Sequence, residues 1–182
     1  MNFNFENFFG TDILIPAASA AILLIIAFTF LFLYFKGLKE NVHAFWVLMQ
    51  AKIGLRLDKL PNLIETIRGN SKGQEPIIAE IIKLRNEAWK VTDPSPKKVQ
   101  LELNLSSDLH GIWDTLAKNG DLQNNVNFLA IRKEIIDLGQ EIDRMADEYN
   151  DKVLHYNKRV GWFLPFAFVF GYRKLPVFEF EA

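Results

Sequence analysis

The chain carries three histidines, His43, His110 and His155, and the acidic and hydroxyl groups near them decide what chemistry it could hold. Glu40 stands three residues before His43, the Glu-x-x-His spacing with which helical bundles hold pairs of metal ions. A two-metal site needs that motif twice, and neither His110 nor His155 has a Glu three residues before it. Asp151 precedes His155 by four residues, the spacing of a solvated pair on one helix face. Ser106 and Ser107 precede Asp108 and His110, but serines beside a histidine in a helix supply neither an oriented base nor an oxyanion donor. Neither a P-loop nor a G-x-G-x-x-G occurs. The absence of cysteine removes disulfides, thiolate chemistry and the usual structural zinc sites. A net charge of -1 gives no basic footprint for nucleic acid. The expectation is a protein that is not an enzyme and holds no cofactor or metal.

The length, 182 residues, suits one domain of ordinary size, and the N-terminus sets its class. From Ile13 to Phe35 run 23 residues without a formal charge. As a helix this stretch reaches roughly 34 Å, enough to span a hydrocarbon core. A cleaved signal peptide would need a basic start and small residues at the end of the apolar run. Here the first twelve residues lack Lys and Arg, and Ala17 to Ala21 lie at the front, so the reading is a retained anchor. Every Lys and Arg falls at Lys36 or later, with Lys39, Lys52 and Arg56 close behind. The positive-inside rule then puts residues 1–12 outside and residues 36–182 in the cytoplasm. Ala17, Ala18, Ala20 and Ala21 form a small-residue patch that would permit close helix approach and self-association in lipid.

Beyond the anchor the pattern is helical. Trp46, Met49, Ile53, Leu57, Leu60, Ile64 and Ile67 form one stripe that keeps its phase across Pro61, predicting a kinked helix rather than two. "RGNSKG" is a turn, and "QEPIIAEIIKLRNEAWKV" reads as a second helix opening at Pro76 and ending near Val91. After the break "DPSP", Val99 to Leu105 alternate like a strand, but Leu105, Leu109, Ile112 and Leu116 step as a third helix. "AKNGD" turns the chain again. Phe128, Ile131, Ile135, Leu138, Ile142, Met145 and Tyr149 form an unbroken heptad seam, extended by Val153, Tyr156 and Val160. The expected fold is all-α: one transmembrane helix (13–35), then an up-and-down antiparallel bundle of long helices over 36–160, coiled-coil-like in its last member.

Four crossings return the chain to the membrane-proximal end, where an aromatic tail (161–182) follows two Tyr-Asn pairs, Tyr149-Asn150 and Tyr156-Asn157. Both rings are expected to cap the bundle core with their phenols on polar atoms at its rim. "WFLPFAFVFGY" is too short to cross a membrane, and Pro165 and Gly171 interrupt it. Trp162, Phe166, Phe168, Phe170, Tyr172, Arg173 and Lys174 are therefore assigned to the bilayer interface, with Lys158 and Arg159 at the other flank. The competing arrangement has the tail folded back to plug the end of the bundle.

"LRLDKLPNLIETIRG", "NFLAIRKEI" and the C-terminal "DEYNDKVLHYN…P…FGYRKLPVFEFE" resemble the pattern of the LemA family. Leu60, Pro61, Asn62 and Leu63 with Tyr149, Asn150, Tyr156 and Asn157 carry that likeness, which departs between about Val91 and Gln123. The resemblance implies a bacterial single-pass protein of the cytoplasmic (inner) membrane, with its bundle in the cytoplasm and no established activity. The resulting expectation is a scaffold or adaptor whose partners are membrane lipid, further copies of itself, and other membrane or cytoplasmic proteins, with no nucleic acid. The alternatives are a protein that organises the lipid surface and, behind it, an enzyme with an unrecognised site.

Overall fold

A computed structural model describes residues 14–70 and 73–178; residues 1–13, which include the tail expected outside (1–12), residues 71–72 and residues 179–182 lie outside the described part. Among the described residues there are six helices and no strand. They are α1 (Leu14–Asn70), α2 (Glu75–Trp89), α3 (Pro96–Leu116), α4 (Gly120–Gln123), α5 (Val126–Trp162) and α6 (Leu164–Val169). The chain divides into two compact units, Met1–Asn41 and Val42–Ala182. In the first, α1 is long and apolar enough to cross a membrane, and Leu14, Ile15, Leu23, Leu24, Ile25 and Phe30 are all exposed. Its hydroxyls are satisfied within the helix: Ser19 donates to the Pro16 carbonyl and Thr29 to the Ile25 carbonyl, each at 2.8 Å. An apolar medium would demand that economy, because no water would be there to take the hydrogen bond.

The second unit is a helical bundle. Lys52 pairs with Glu141 at 2.9 Å and Lys59 with Glu134 at 2.6 Å, so the register falls along α5 as it rises along α1. The two helices are antiparallel. Trp46 donates its indole N–H to the Thr92 carbonyl while Arg85 reaches Leu57, which runs α2 back along α1. Met49, Ile53, Leu57, Leu60, Leu63 and Ile67 of α1 are buried, as are Ile78 and Ile81 of α2 and Leu105, Leu109 and Ile112 of α3. On α5 the heptad positions Phe128, Ile135, Ile142, Tyr149 and Tyr156 are buried, whereas Ile131, Leu138 and Met145 are only half-covered. Ala146, Val153 and Val160 are buried in their place on the neighbouring row, so the burial stripe is broader than a two-stranded seam.

Pro61 lies inside α1 without ending it. A proline cannot donate to the carbonyl four residues earlier, which here is Leu57. The Arg85 Nε–H fills that vacancy at 3.1 Å, so a side chain of α2 supplies the hydrogen bond that the α1 backbone lacks. The alternating stretch after "DPSP" is helical: Ser95 caps α3 by accepting from the Lys98 N–H at 3.2 Å. The alternation loses because Val99, Glu102, Leu105, Leu109, Ile112 and Leu116 bury one helical face. The turn before α5 holds the four-residue α4, with Asn119 and Asn125 capping successive helix starts.

Charge enters this core. Arg56, grouped by sequence with the basic residues behind the span, is 2% exposed and pairs with Glu102 Oε2 at 2.6 Å. Lys98, 0% exposed, holds the other carboxylate oxygen at 2.8 Å and donates to the Ala88 carbonyl in the last turn of α2. One buried carboxylate thus serves two buried cations, one from α1 and one from its own helix, and Lys98 links the group to α2. Removing the carboxylate is expected to cost about 3–5 kcal/mol, because both cations then face each other unpaired. Glu102→Ala in the full chain should therefore lower the helix melting temperature in detergent sharply, followed by circular dichroism. The combined Arg56→Met, Lys98→Met, Glu102→Leu chain should regain most of the loss. An unchanged melting point for Glu102→Ala would show that the cations reach water.

Candidate functional site

The histidine constellations do not assemble into a reactive centre. Glu40 is exposed and pairs with Lys36 at 3.8 Å, while His43, His110, Asp151 and His155 are all exposed. Among the described residues no three His, Cys, Asp or Glu side chains lie close enough to share a metal ion. Ser106 accepts a hydrogen bond from Arg56 Nη1 at 3.0 Å. Its oxygen helps to compensate the buried guanidinium, which is a structural task.

A half-open groove of about 240 Å³ does run between α3 and α5, with Arg56 on its floor and Trp113, Arg132 and Asp143 among its walls. Burial raises the Asp143 carboxyl above its ordinary range, while Arg56 and Asp147 pull in opposite directions. The Arg132 guanidinium lies 5.9 Å from the Trp113 ring centroid. Cations and carboxylates on these walls balance each other. Of the residues singled out by sequence, Ser106 and His110 line this groove, and the Ser106 hydroxyl is taken up by Arg56.

The most specific arrangement is at the two Tyr-Asn pairs. Tyr149 and Tyr156 point into the core and are 0% exposed. Each following Asn turns instead to the C-terminal segment. The Asn157 side-chain amide donates to the Leu175 carbonyl at 2.9 Å, and its oxygen accepts from the Leu175 N–H at 2.8 Å. Asn150 does the same with both backbone groups of Phe178, each at 2.7 Å. The higher-numbered Asn meets the lower-numbered tail residue, so the tail runs antiparallel to α5.

The spacing explains the repeat. Asn150 and Asn157 are seven residues apart on the helix, a rise of about 10.5 Å. Leu175 and Phe178 are three residues apart in an extended segment, an advance of about 10 Å. Two identical amide clamps therefore fall in register with two tail residues. Pro176, which has no N–H to satisfy, lies between them. Phe178 is 4% exposed, stacked on Trp46 at 6.1 Å and set edge-on to Tyr149 at 5.7 Å. Trp46 meets Tyr149 at 5.6 Å, closing a three-ring cluster.

The phenols depart from expectation. Neither the Tyr149 nor the Tyr156 hydroxyl has a hydrogen-bond partner among the described residues. Burial pushes the Tyr149 hydroxyl up to about 12, and burial with a smaller contribution from Tyr172 raises that of Tyr156.

The residues assigned to the interface separate by position. Trp162, Leu164, Phe168 and Val169 are exposed, Phe168 at 84%, and Arg173 and Lys174 are exposed too. Lys158 Nζ and Arg159 Cζ each lie 5.2 Å from the Trp162 ring centroid. Phe166 and Phe170 are half-buried with their rings 4.6 Å apart, Tyr172 is half-buried, and Ala167 is buried. Gly171 turns the chain out of α6 at φ +69°, a conformation that other residues adopt only with strain. In the "LPNL" stretch, Leu60 and Leu63 are buried while Pro61 and Asn62 are exposed.

The sequence model of the LemA family matches residues 46–182, three quarters of the chain and nearly all of the second unit. The chain belongs to the LemA family. Comparison with curated proteins finds no match. The LemA match begins at Trp46 and runs through the tail, so it contains all three rings of the cluster and both Asn clamps, and it leaves out the apolar first unit.

Two outcomes follow for this LemA site. Asn150→Ala and Asn157→Ala each remove two clamp bonds, at a cost of about 1–2 kcal/mol. Hydrogen exchange at the Phe178 and Leu175 amides, respectively, should then accelerate by roughly tenfold or more, while exchange in the middle of α5 is retained. Equal protection in the variants would mean that the clamps do not hold the tail. The second outcome concerns Tyr149. With its hydroxyl near 12 when folded and 10.0 when unfolded, the folded state keeps a proton that the unfolded state loses. Stability is then complete below pH 10 and falls on the order of 2 kcal/mol as pH rises toward 12. Tyr149→Phe should reduce that alkaline loss in melting scans. An identical alkaline profile would show that Tyr149 ionises freely.

Proposed function

We propose that this LemA-family chain is a membrane-anchored, self-associating scaffold or adaptor without catalytic activity, whose bundle faces the cytoplasm and whose C-terminal aromatic segment rests on the lipid surface. The observation that carries it is the exposed face of Trp162, Leu164, Phe168 and Val169 with Lys158, Arg159, Arg173 and Lys174 around it. An exposed apolar face with a basic rim suits the headgroup level of an anionic leaflet, where each basic group contributes about 1 kcal/mol. The tail is also tied to Trp46, which follows Phe35 by eleven residues of chain. The non-catalytic part of the reading rests on the sequence, which carries no complete catalytic constellation. The orientation rests on the charge asymmetry across the candidate span. A lipid-organising role is the second reading, favoured by the same aromatic face.

The test uses the full chain reconstituted in anionic vesicles whose acyl chains carry bromine, a short-range quencher of indole fluorescence. Trp46 and Trp113 are buried but Trp89 is exposed, so the test is made in a Trp89→Phe background, where the quenched signal is expected to come mainly from Trp162 and to drop in Trp162→Phe. Quenching unaffected by that substitution would overturn the lipid contact. Protease added outside intact cells should leave the chain beyond Gly37 whole, and digestion there would reverse the orientation.

A further inference from the structure

The tail is held as a bound peptide would be. Asn150 and Asn157 read only backbone N–H and C=O groups, and the Trp46–Tyr149 cleft reads one aromatic ring. Nothing in those contacts records which molecule the tail belongs to. Pro176 restricts the segment to extended forms before it docks, which lowers the ordering entropy of binding. We propose that this groove on α1 and α5 is a docking site that accepts the Leu175–Phe178 segment of a second copy of the chain in exchange for its own.

The connection permits the exchange. Between Trp162 at the end of α5 and Leu175 lie the six-residue α6 and six residues in other conformations. Such a connection reaches about 30 Å when straightened, more than the spacing of two bundles lying side by side. Gly171 and the non-helical Phe163 at the start of α6 are the two places where its direction can change without disturbing either clamp. In cis, a short linker gives an effective tail concentration in the millimolar range. Copies anchored in one membrane plane are confined to a thin layer and crowd each other's tails into a comparable range. The inference rests on the membrane-anchored, self-associating reading and supplies its contact.

The experiment co-expresses two differently tagged full-length forms, both with the membrane helix. The acceptor ends at Tyr172, so its groove is intact and empty; the donor carries Asn150→Ala and Asn157→Ala, so its tail is intact and released. Purified in mild detergent through the acceptor's tag, the donor should be recovered roughly tenfold above the acceptor–acceptor and donor–donor pairings. Adding Phe178→Ala to the donor should abolish the excess. Circular dichroism checks that each form is folded, and a full-length acceptor carrying Phe178→Ala replaces the truncated one if that form is not. Equal recovery in every pairing would place self-association in the span and overturn the exchange while leaving the scaffold reading intact. No recovery in any pairing would overturn both.

Discussion

The carboxylate of Glu102 is the point on which the second unit depends. It meets Arg56 of α1 at 2.6 Å and Lys98 at the start of its own helix at 2.8 Å, with Lys98 in turn bonded to the end of α2. Two helices meet at one buried anion, and Lys98 ties a third to them. A buried ion pair is seldom a net source of stability compared with well-packed apolar residues, because desolvation offsets attraction. It is more demanding about geometry than a hydrophobic contact, since a shifted register would strand a charge. The apolar rows of α1, α2 and α3 could slide by a turn and still bury similar area. Arg56 and Lys98 could not. As a register device, the network would select one alignment among several that the hydrophobic pattern would allow.

A second long-range bond of the same kind joins α2 to α1. Pro61 leaves the Leu57 carbonyl without its helical donor, and Arg85 supplies one from the neighbouring helix. The α1 helix stays continuous there through a contact that exists only once the bundle has formed. Local cost and tertiary compensation are thus matched at one atom, and the phase of the apolar stripe on both sides of Pro61 is retained.

These two contacts also mark the boundary of what the sequence makes legible. Periodicity reports which residues face inward, so the seam from Phe128 to Tyr149 and the stripe from Trp46 to Ile67 identify the long helices and the all-α class. It does not report partners. Arg56 sits on the buried face by its spacing from Met49 and Leu60, yet a single arginine behind an apolar span reads as a membrane-flanking charge. Its partners Glu102 and Ser106 lie 46 and 50 residues away, and no local pattern connects them. The helix α4 escapes for a different reason, since four residues are too few for any period to register. The Tyr-Asn repeat was visible as a repeat. Its meaning was hidden because its partner is an irregular segment, whose own three-residue advance matches the heptad only when laid beside it.

That match divides the C-terminal sequence into two kinds of surface. Leu175 to Phe178 is drawn to the core by backbone bonds and one ring, whereas Trp162, Leu164, Phe168 and Val169 are left facing out. A tail whose purpose was only to plug the bundle would bury its largest side chains first, because apolar burial follows area. Here the exposed Phe168 and the buried Phe178 are the same residue type ten positions apart. Size and hydrophobicity cannot account for the difference. The amide clamps can: they fix where the chain must run, α6 must then span the gap from the end of α5 to the first clamp, and its short helix shows one face inward at Ala167 and the other outward at Phe168. The outward face is thus a consequence of how the tail is tied, and the sequence fills it with apolar residues ringed by basic ones instead of the polar groups that solvent alone would favour.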